Sequence, residues 1–453
     1  MKQDKLFGEV PIFNAVLKLA LPSIMGQIIL VIYNMADTFF VGLADSDIML
    51  TAITVTLPAF MLLSAIANLF GIGGSSLIAR SLGKKDSEMA KSASSFAILG
   101  CVLVTLIYSL LAFLFIDYFV DILGGTDSQV HILASNYLKV TVVFGGLFTS
   151  LSMLLGHLVR SEGNSLKASL GVVIGGVLNI VLDPIFMFIL LPKGNEVLGA
   201  AIATSISNLC SFVYFLIIVI KNKKNSHIRL RIDKRIILDK IPRDVIYVGL
   251  PASIMTLFEN VSYAVLENCI STYGVDVQAG LGVAKKINML AHSCVRGTAQ
   301  GVLPLLAYNY SAEKYNRMKK TVLISMSITV GIALFCMIAC LIFSDGLVSV
   351  FIRNEGVSNM FAEKFLKIFC VGAPFSACAY TFISFFQAVG KGNVSFVLAI
   401  LRKGIVDIPM MIILDGIISI QGAVLATPIT DALCCVVSII FYIIFLRNIK
   451  YSI

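Results

Sequence analysis

Six polar side chains interrupt otherwise apolar stretches of this chain: Asp37, Asn179, Asp183, Thr204, Glu259 and Arg296. A charge placed near the centre of a bilayer costs at least about 2.5–3.5 kcal/mol, so such residues face a cavity or a partner. Asp37 and Asp183 fall near the outer ends of their apolar runs, roughly 9–12 Å below the surface at about 1.5 Å per residue. Asn179 is four residues before Asp183 and shares its helix face. Thr204 is expected at a similar depth on the next run. Four oxygen-bearing side chains at one level make a candidate cation or proton site. Carboxylate and amide oxygens suit a hard cation, and a carboxylate among apolar groups also takes a proton readily; the residue types leave that choice open. Glu259 is the deepest carboxylate and suits a cavity-facing site for a cationic substrate or a coupling ion. Arg296 is central enough to need an acidic partner, with Glu259 or Asp407 as candidates.

The elements that must hold these residues are helices in a membrane. Of 453 residues, 58% are hydrophobic and only 13% charged, with a mean hydropathy of +0.93. A soluble chain this apolar could not cover its surface with polar groups. That excludes a soluble enzyme, a disordered chain and a coiled coil. Unbroken apolar runs such as 96–115 and 322–343 also exclude a barrel of alternating strands. Twelve runs reach the roughly 20 residues a spanning helix needs: 14–41, 50–79, 92–116, 132–158, 166–191, 196–220, 245–273, 279–307, 322–343, 362–389, 394–414 and 419–446. With the N-terminus inside, 24 of the 35 Lys and Arg fall on the inner side and only Lys193 and Arg353 on the outer. This asymmetry puts both termini in the cytoplasm. It also accounts for the net charge of +9 without nucleic acid as a partner. The first run, 12–43, is too long for a cleavable signal.

The basic stretch 221–243 divides six spans from six, and short motifs recur across it. Leu21-Pro22 answers Leu250-Pro251 and Gly163-Asn164 answers Gly392-Asn393, both 229 residues apart, while Ala79 answers Ala307 at 228. Gly199-Ala200-Ala201-Ile202-Ala203-Thr204 answers Gly422-Ala423-Val424-Leu425-Ala426-Thr427 at 223. The expected architecture is an all-α membrane protein of twelve transmembrane helices in two six-helix bundles, 1–220 and 244–453, related by an internal pseudo-two-fold repeat. Two such bundles suit alternating access about a central cavity. Asp407 with Pro409 echoes Asp183-Pro184 only loosely.

Other features are read as structural. Gly71-Ile72-Gly73-Gly74-Ser75-Ser76 lacks the ending of a phosphate loop and permits close helix packing. All ten Cys lie in apolar runs and suggest neither a disulfide framework nor a zinc site. The four His are scattered, so no metal site is expected. Lys285, Lys286, Arg402 and Lys403 are long enough to snorkel. With no paired His or nucleophile–base set, the chain does not read as an enzyme.

Taken together, the pattern resembles the bacterial branch of the multidrug and toxic compound extrusion (MATE) family. The residues that carry it are Leu21-Pro22 with Asp37, Asn179 with Asp183-Pro184, the Gly-Ala-Ala-Ile-Ala-Thr204 run, and Pro304-Leu305-Leu306-Ala307-Tyr308-Asn309-Tyr310. The resemblance covers essentially the whole chain. It implies a V-shaped pair of six-helix bundles in the inner (plasma) membrane. It implies a secondary antiporter that exports amphipathic, often cationic compounds in exchange for H+ or Na+. It assigns Asp37, Asn179, Asp183 and Thr204 to the first-half ion site and Glu259 to a second-half acidic position. Cys378 stands where the sodium-coupled branch has a partner aspartate, which favours the first-half site. No cofactor beyond the coupling ion is expected, and the chain is read as a monomer. The alternative reading is a flippase or exporter of a lipid-linked or other amphipathic metabolite.

Overall fold

The structure is a computed structural model and describes residues 2–43, 46–125, 127–229, 240–352 and 356–450. Arg353 and the middle of the basic stretch, 230–239, lie outside the described residues. Every regular element among the described residues is helical. In chain order the spans are Ile12–Gly42, Asp47–Gly83 and Ser87–Leu114, then a fourth made of Ser128–Leu138, Lys139–Phe144 and Gly146–Ser161. The fifth joins Ser165–Pro184 to Ile185–Leu190, and the sixth is Glu196–Lys221. The second set is Ile241–Ser271, Val275–Ser311, Tyr315–Ile342 and Val357–Ala388, a broken eleventh span (Gly392–Ile400, Leu401–Ile405, Asp407–Ile418) and Ile420–Lys450. These are the twelve spans of the sequence reading, most of them starting a few residues earlier and several ending one or two residues sooner.

The third span shows why the helices assemble. Its inward stripe is small or weakly polar: Ala90, Ala93, Ala97, Cys101, Thr105, Ser109 and Ala112 are buried. Its outward stripe is large and apolar, with Leu103, Leu106, Leu110 and Leu114 exposed. Lipid is as apolar as leucine, so small residues that bring backbones close mark the packed face. Polar caps start the helices at the membrane edge. Asp86 accepts from the Met89 amide at 2.9 Å, and Asp127 from the Gln129 and Val130 amides at 2.9 and 3.1 Å.

The breaks are satisfied by side chains. In the fourth span the π-helical turn Lys139–Phe144 precedes a 50° bend. Its carbonyls would be costly if left free in lipid. Ser109 from the third span donates to Val142 O at 2.8 Å, and Ser205 from the sixth to Val140 O at 3.1 Å. Among the described residues, nine helices are apolar enough to cross a membrane on composition alone, ten if the bent fourth span counts once. The eighth and eleventh are not among them: the eighth carries Lys285, Lys286 and Arg296, and the eleventh is interrupted around Arg402 and Lys403.

Spans one to six pack together, as do seven to twelve, and the two lobes join along a seam. Its tightest point is the crossing of the second and seventh spans. A Cβ on Gly73 would strike the Val245 carbonyl, and one on Gly249 the Leu69 carbonyl. The glycine-rich run 71–76 therefore serves backbone-to-backbone contact. Hydrogen bonds extend the seam: Ser76 to Gln387 O at 2.6 Å, Asn309 to Phe7 O at 3.1 Å, Asn68 to Thr256 at 2.9 Å and Gln27 to Gln300 at 3.3 Å. These contacts run from the basic end of the helices to about their middle. Beyond that level Phe39, Leu50 and Val261 stand exposed.

Candidate ion and substrate site

The first-lobe site is built on the outer half of the fifth span. A Cβ on Gly176 would sit 2.9 Å from Ile29 and 3.4 Å from Tyr33, which brings the first span flush against the fifth. One turn further along each helix lie Asp37 and the Asn179–Asp183 pair. Asn179 donates to Asp183 Oδ1 at 3.0 Å and to Thr204 Oγ1 at 3.3 Å. Asp183 is fully buried and Asn179 nearly so. Asp37 is half-buried on the first span, one turn beyond Tyr33 at the contact with Gly176. The structure thus joins Asn179, Asp183 and Thr204 by hydrogen bonds and places Asp37 on the helix packed against them.

Two atoms of this cluster are left over. Asp183 Oδ2 and Asn179 Oδ1 are buried without a hydrogen-bond partner. A buried carboxylate oxygen without a partner is expensive. Neither Asp37 nor Asp183 forms a salt bridge among the described residues. Two carboxylates, an amide oxygen and a hydroxyl with spare acceptor capacity can take a proton or a small hard cation.

The second lobe is arranged differently. Glu259 follows Thr256 by one turn and Arg296 precedes Gln300 by one turn, so both stand just beyond the seam. Arg296 donates to Glu259 at 2.9 Å, which selects Glu259 over Asp407 as its partner. The Glu259 side chain is 14% exposed and that of Arg296 35%. Lys285 pairs with Glu267 at 2.6 Å near the outer end.

Arg402 and Lys403 depart from the snorkelling expectation. Both point inward and are 2% exposed. Arg402 bonds Asp431 at 2.7 Å and Ser376 at 2.8 Å, and its guanidinium lies 4.3 Å from the Tyr380 ring centroid. Lys403 bonds Asp407 at 3.0 Å. The reason is local. The π-helical turn Leu401–Ile405 rotates the helix, and acids on two packed helices offer an ion pair at less cost than a route to the surface. Asp431 escaped the sequence reading; its only signal was a carboxylate four residues after Thr427 in an apolar run. A small polar cavity lies among Glu259, Tyr263, His292, Arg402, Lys403 and Asp431. All ten cysteines are free thiols.

The MatE family model matches residues 22–185 and again 251–413, one match in each lobe. The Multidrug export protein MepA of Staphylococcus aureus is 31% identical over 443 residues, covering 97% of this chain and 96% of its own. The protein of the same name from Staphylococcus haemolyticus is 30% identical over 451 residues, covering 99% and 97%. Among solved structures, the crystal structure of MATE in complex with MaL6 matches with a TM-score of 0.91 at 23% identity, over 100% of both chains. The outward-facing conformation of a multidrug resistance MATE family transporter of the MOP superfamily matches at 0.89 and 23% identity, over 100% of this chain and 99% of that one.

Proposed function

The chain belongs to the MatE family of membrane transporters, and from that premise we propose that it is a secondary antiporter. It exports amphipathic, often cationic drugs or toxic compounds in exchange for inward H+ or Na+. The observation that carries this reading is the unpartnered Asp183 Oδ2 beside Asn179, Thr204 and Asp37. Export by the two staphylococcal MepA relatives supports drugs as the substrate class.

The cycle follows from the two sites. The lobes are joined toward the basic end of the molecule, which the positive-inside bias puts in the cytoplasm with both termini, so the cleft between them opens outward. In this outward-open state, substrate leaves the cleft while Asp37 and Asp183 take the ion. Neutralising two close carboxylates removes the repulsion between the first and fifth spans and lets the first span repack. Pro22, which removes one backbone hydrogen bond of that span, is where it bends most cheaply. The seam then opens on the other side. Glu259 at the cleft floor accepts cationic groups in competition with Arg296. The protein works as a single chain in the plasma membrane and needs no cofactor besides the ion.

The test is to express the chain in a drug-sensitive bacterium and measure both susceptibility and efflux of a cationic dye. The wild type is expected to protect and to expel dye, and Asp183→Asn to do neither at equal membrane abundance. If the abundant wild type does neither, the reading moves to a lipid-linked or other amphipathic metabolite.

A further inference from the structure

We propose that Lys403 is a cation built into the second lobe, permanently balancing the Asp407 carboxylate so that only the first lobe responds to ions. The proposal rests on the ion-site reading of Asp37 and Asp183. Both lobes place a carboxylate four residues after a polar donor and set the repeated threonine against the pair. In the first lobe the donor is the Asn179 amide, and Asp183 keeps one oxygen unpartnered. In the second lobe the donor is an ammonium. Lys403 and Ser262 both bond Asp407 Oδ2, and Thr427 bonds Oδ1 at 3.3 Å. Both oxygens of Asp407 are therefore taken, in a residue fully buried.

The two sets differ in depth. Thr204 meets the donor of its pair, whereas Thr427 meets the acid, so the second-lobe pair sits one turn deeper. At the level of the first-lobe site the second lobe has no unpaired acid facing inward: Glu267, beside Leu266, is half-exposed and paired with Lys285. The 229-residue spacing of the Leu-Pro motifs puts Leu266 opposite Asp37. Leu266 is buried with Met411, Ala423, Val424 and Ala426. Thus Asp37 and Asp183 in the first lobe have no basic partner among the described residues, the buried Arg160 and His157 lying at the inner end of the fourth span. In the other, Asp407, Asp431 and Glu259 each have a basic partner at 3.0, 2.7 and 2.9 Å. The other charged or titratable groups facing the Lys403–Asp407 pair are Arg402 on the same helix, Glu259 and Tyr263 on the seventh span, Lys285 and His292 on the eighth and Asp431 on the twelfth. With Lys403 removed, Asp407 would have to recruit a proton or a cation.

The experiment measures the melting temperature of the purified full chain with a thiol-reactive dye on its native cysteines, in sodium against choline and across pH. Asp183→Asn silences the first lobe. Adding Lys403→Asn is expected to lower the melting temperature and to create a new rise with sodium or with falling pH. Adding Asp407→Asn as well should restore the temperature and abolish that rise. A Lys403→Asn variant no more ion-responsive than its parent, or a response that survives Asp407→Asn, would overturn the proposal. If the Lys403→Asn variant does not fold, the triple variant still decides: its folding is expected, and its failure would equally overturn it. The ion-site reading is judged separately, by whether the wild type and Asp183→Asn differ.

Discussion

Asn179 donates its amide to one oxygen of Asp183 at 3.0 Å and leaves the other oxygen of that buried carboxylate without a partner. The pair is thereby fixed in place and incomplete. A ligand that completes it should stabilise the protein by mass action, by about 2.7 kcal/mol at a concentration a hundred times its dissociation constant. Sodium or lowered pH should therefore raise the melting temperature of the wild type, and this rise should be lost in Asp183→Asn. An unchanged rise in that variant would place the ion elsewhere.

The Glu259–Arg296 pair makes a prediction about substrate selectivity. Glu259→Gln removes the acceptor for cationic groups at the cleft floor. A hydrogen bond to a charged group contributes about 1.5–3 kcal/mol, so apparent affinity for cationic dyes should fall roughly 10- to 100-fold while neutral substrates change little. Equal losses for both classes in transport assays would show that Glu259 acts structurally.

Arg402 and Asp431 make a prediction about stability. Both are 2% exposed. Breaking a buried pair by neutralising one partner costs about 3–5 kcal/mol, so Asp431→Asn should lower the melting temperature markedly. Replacing both partners, with Arg402→Met and Asp431→Leu, should recover much of the loss. A single variant that melts like the wild type would contradict the pairing.

The seam supplies a conformational prediction. A side chain at position 249 would strike the Leu69 carbonyl, so Gly249→Val should hold the second and seventh spans apart. Hydrogen exchange over residues 69–76 and 245–252 should then speed up, reporting the loss of local protection. Unaltered protection there would mean that the crossing tolerates a side chain.

The sequence was legible where the bilayer or helical periodicity imposes the answer. The twelve helices could be located because each needs an apolar run long enough to cross. Asn179 and Asp183 could be paired because four residues return a helix to the same face. Gly199–Thr204 and its copy at 422–427 announced the repeat. Arg402 and Asp431 were not legible as partners, since they lie 29 residues apart on different helices and meet only through the rotation introduced by a π-helical turn. Such turns leave no apolar period of their own. The weak echo of Asp183 at Asp407 had a physical cause too: the second-lobe pair sits a turn deeper and carries a lysine in place of the asparagine.

The most direct measurement is dye transport by the purified chain in liposomes, with a proton gradient and a sodium gradient imposed separately, for the wild type and Asp183→Asn. The account predicts that one of the two gradients drives transport by the wild type and neither drives it in the variant. Gradient-driven transport of equal rate in both proteins would contradict it.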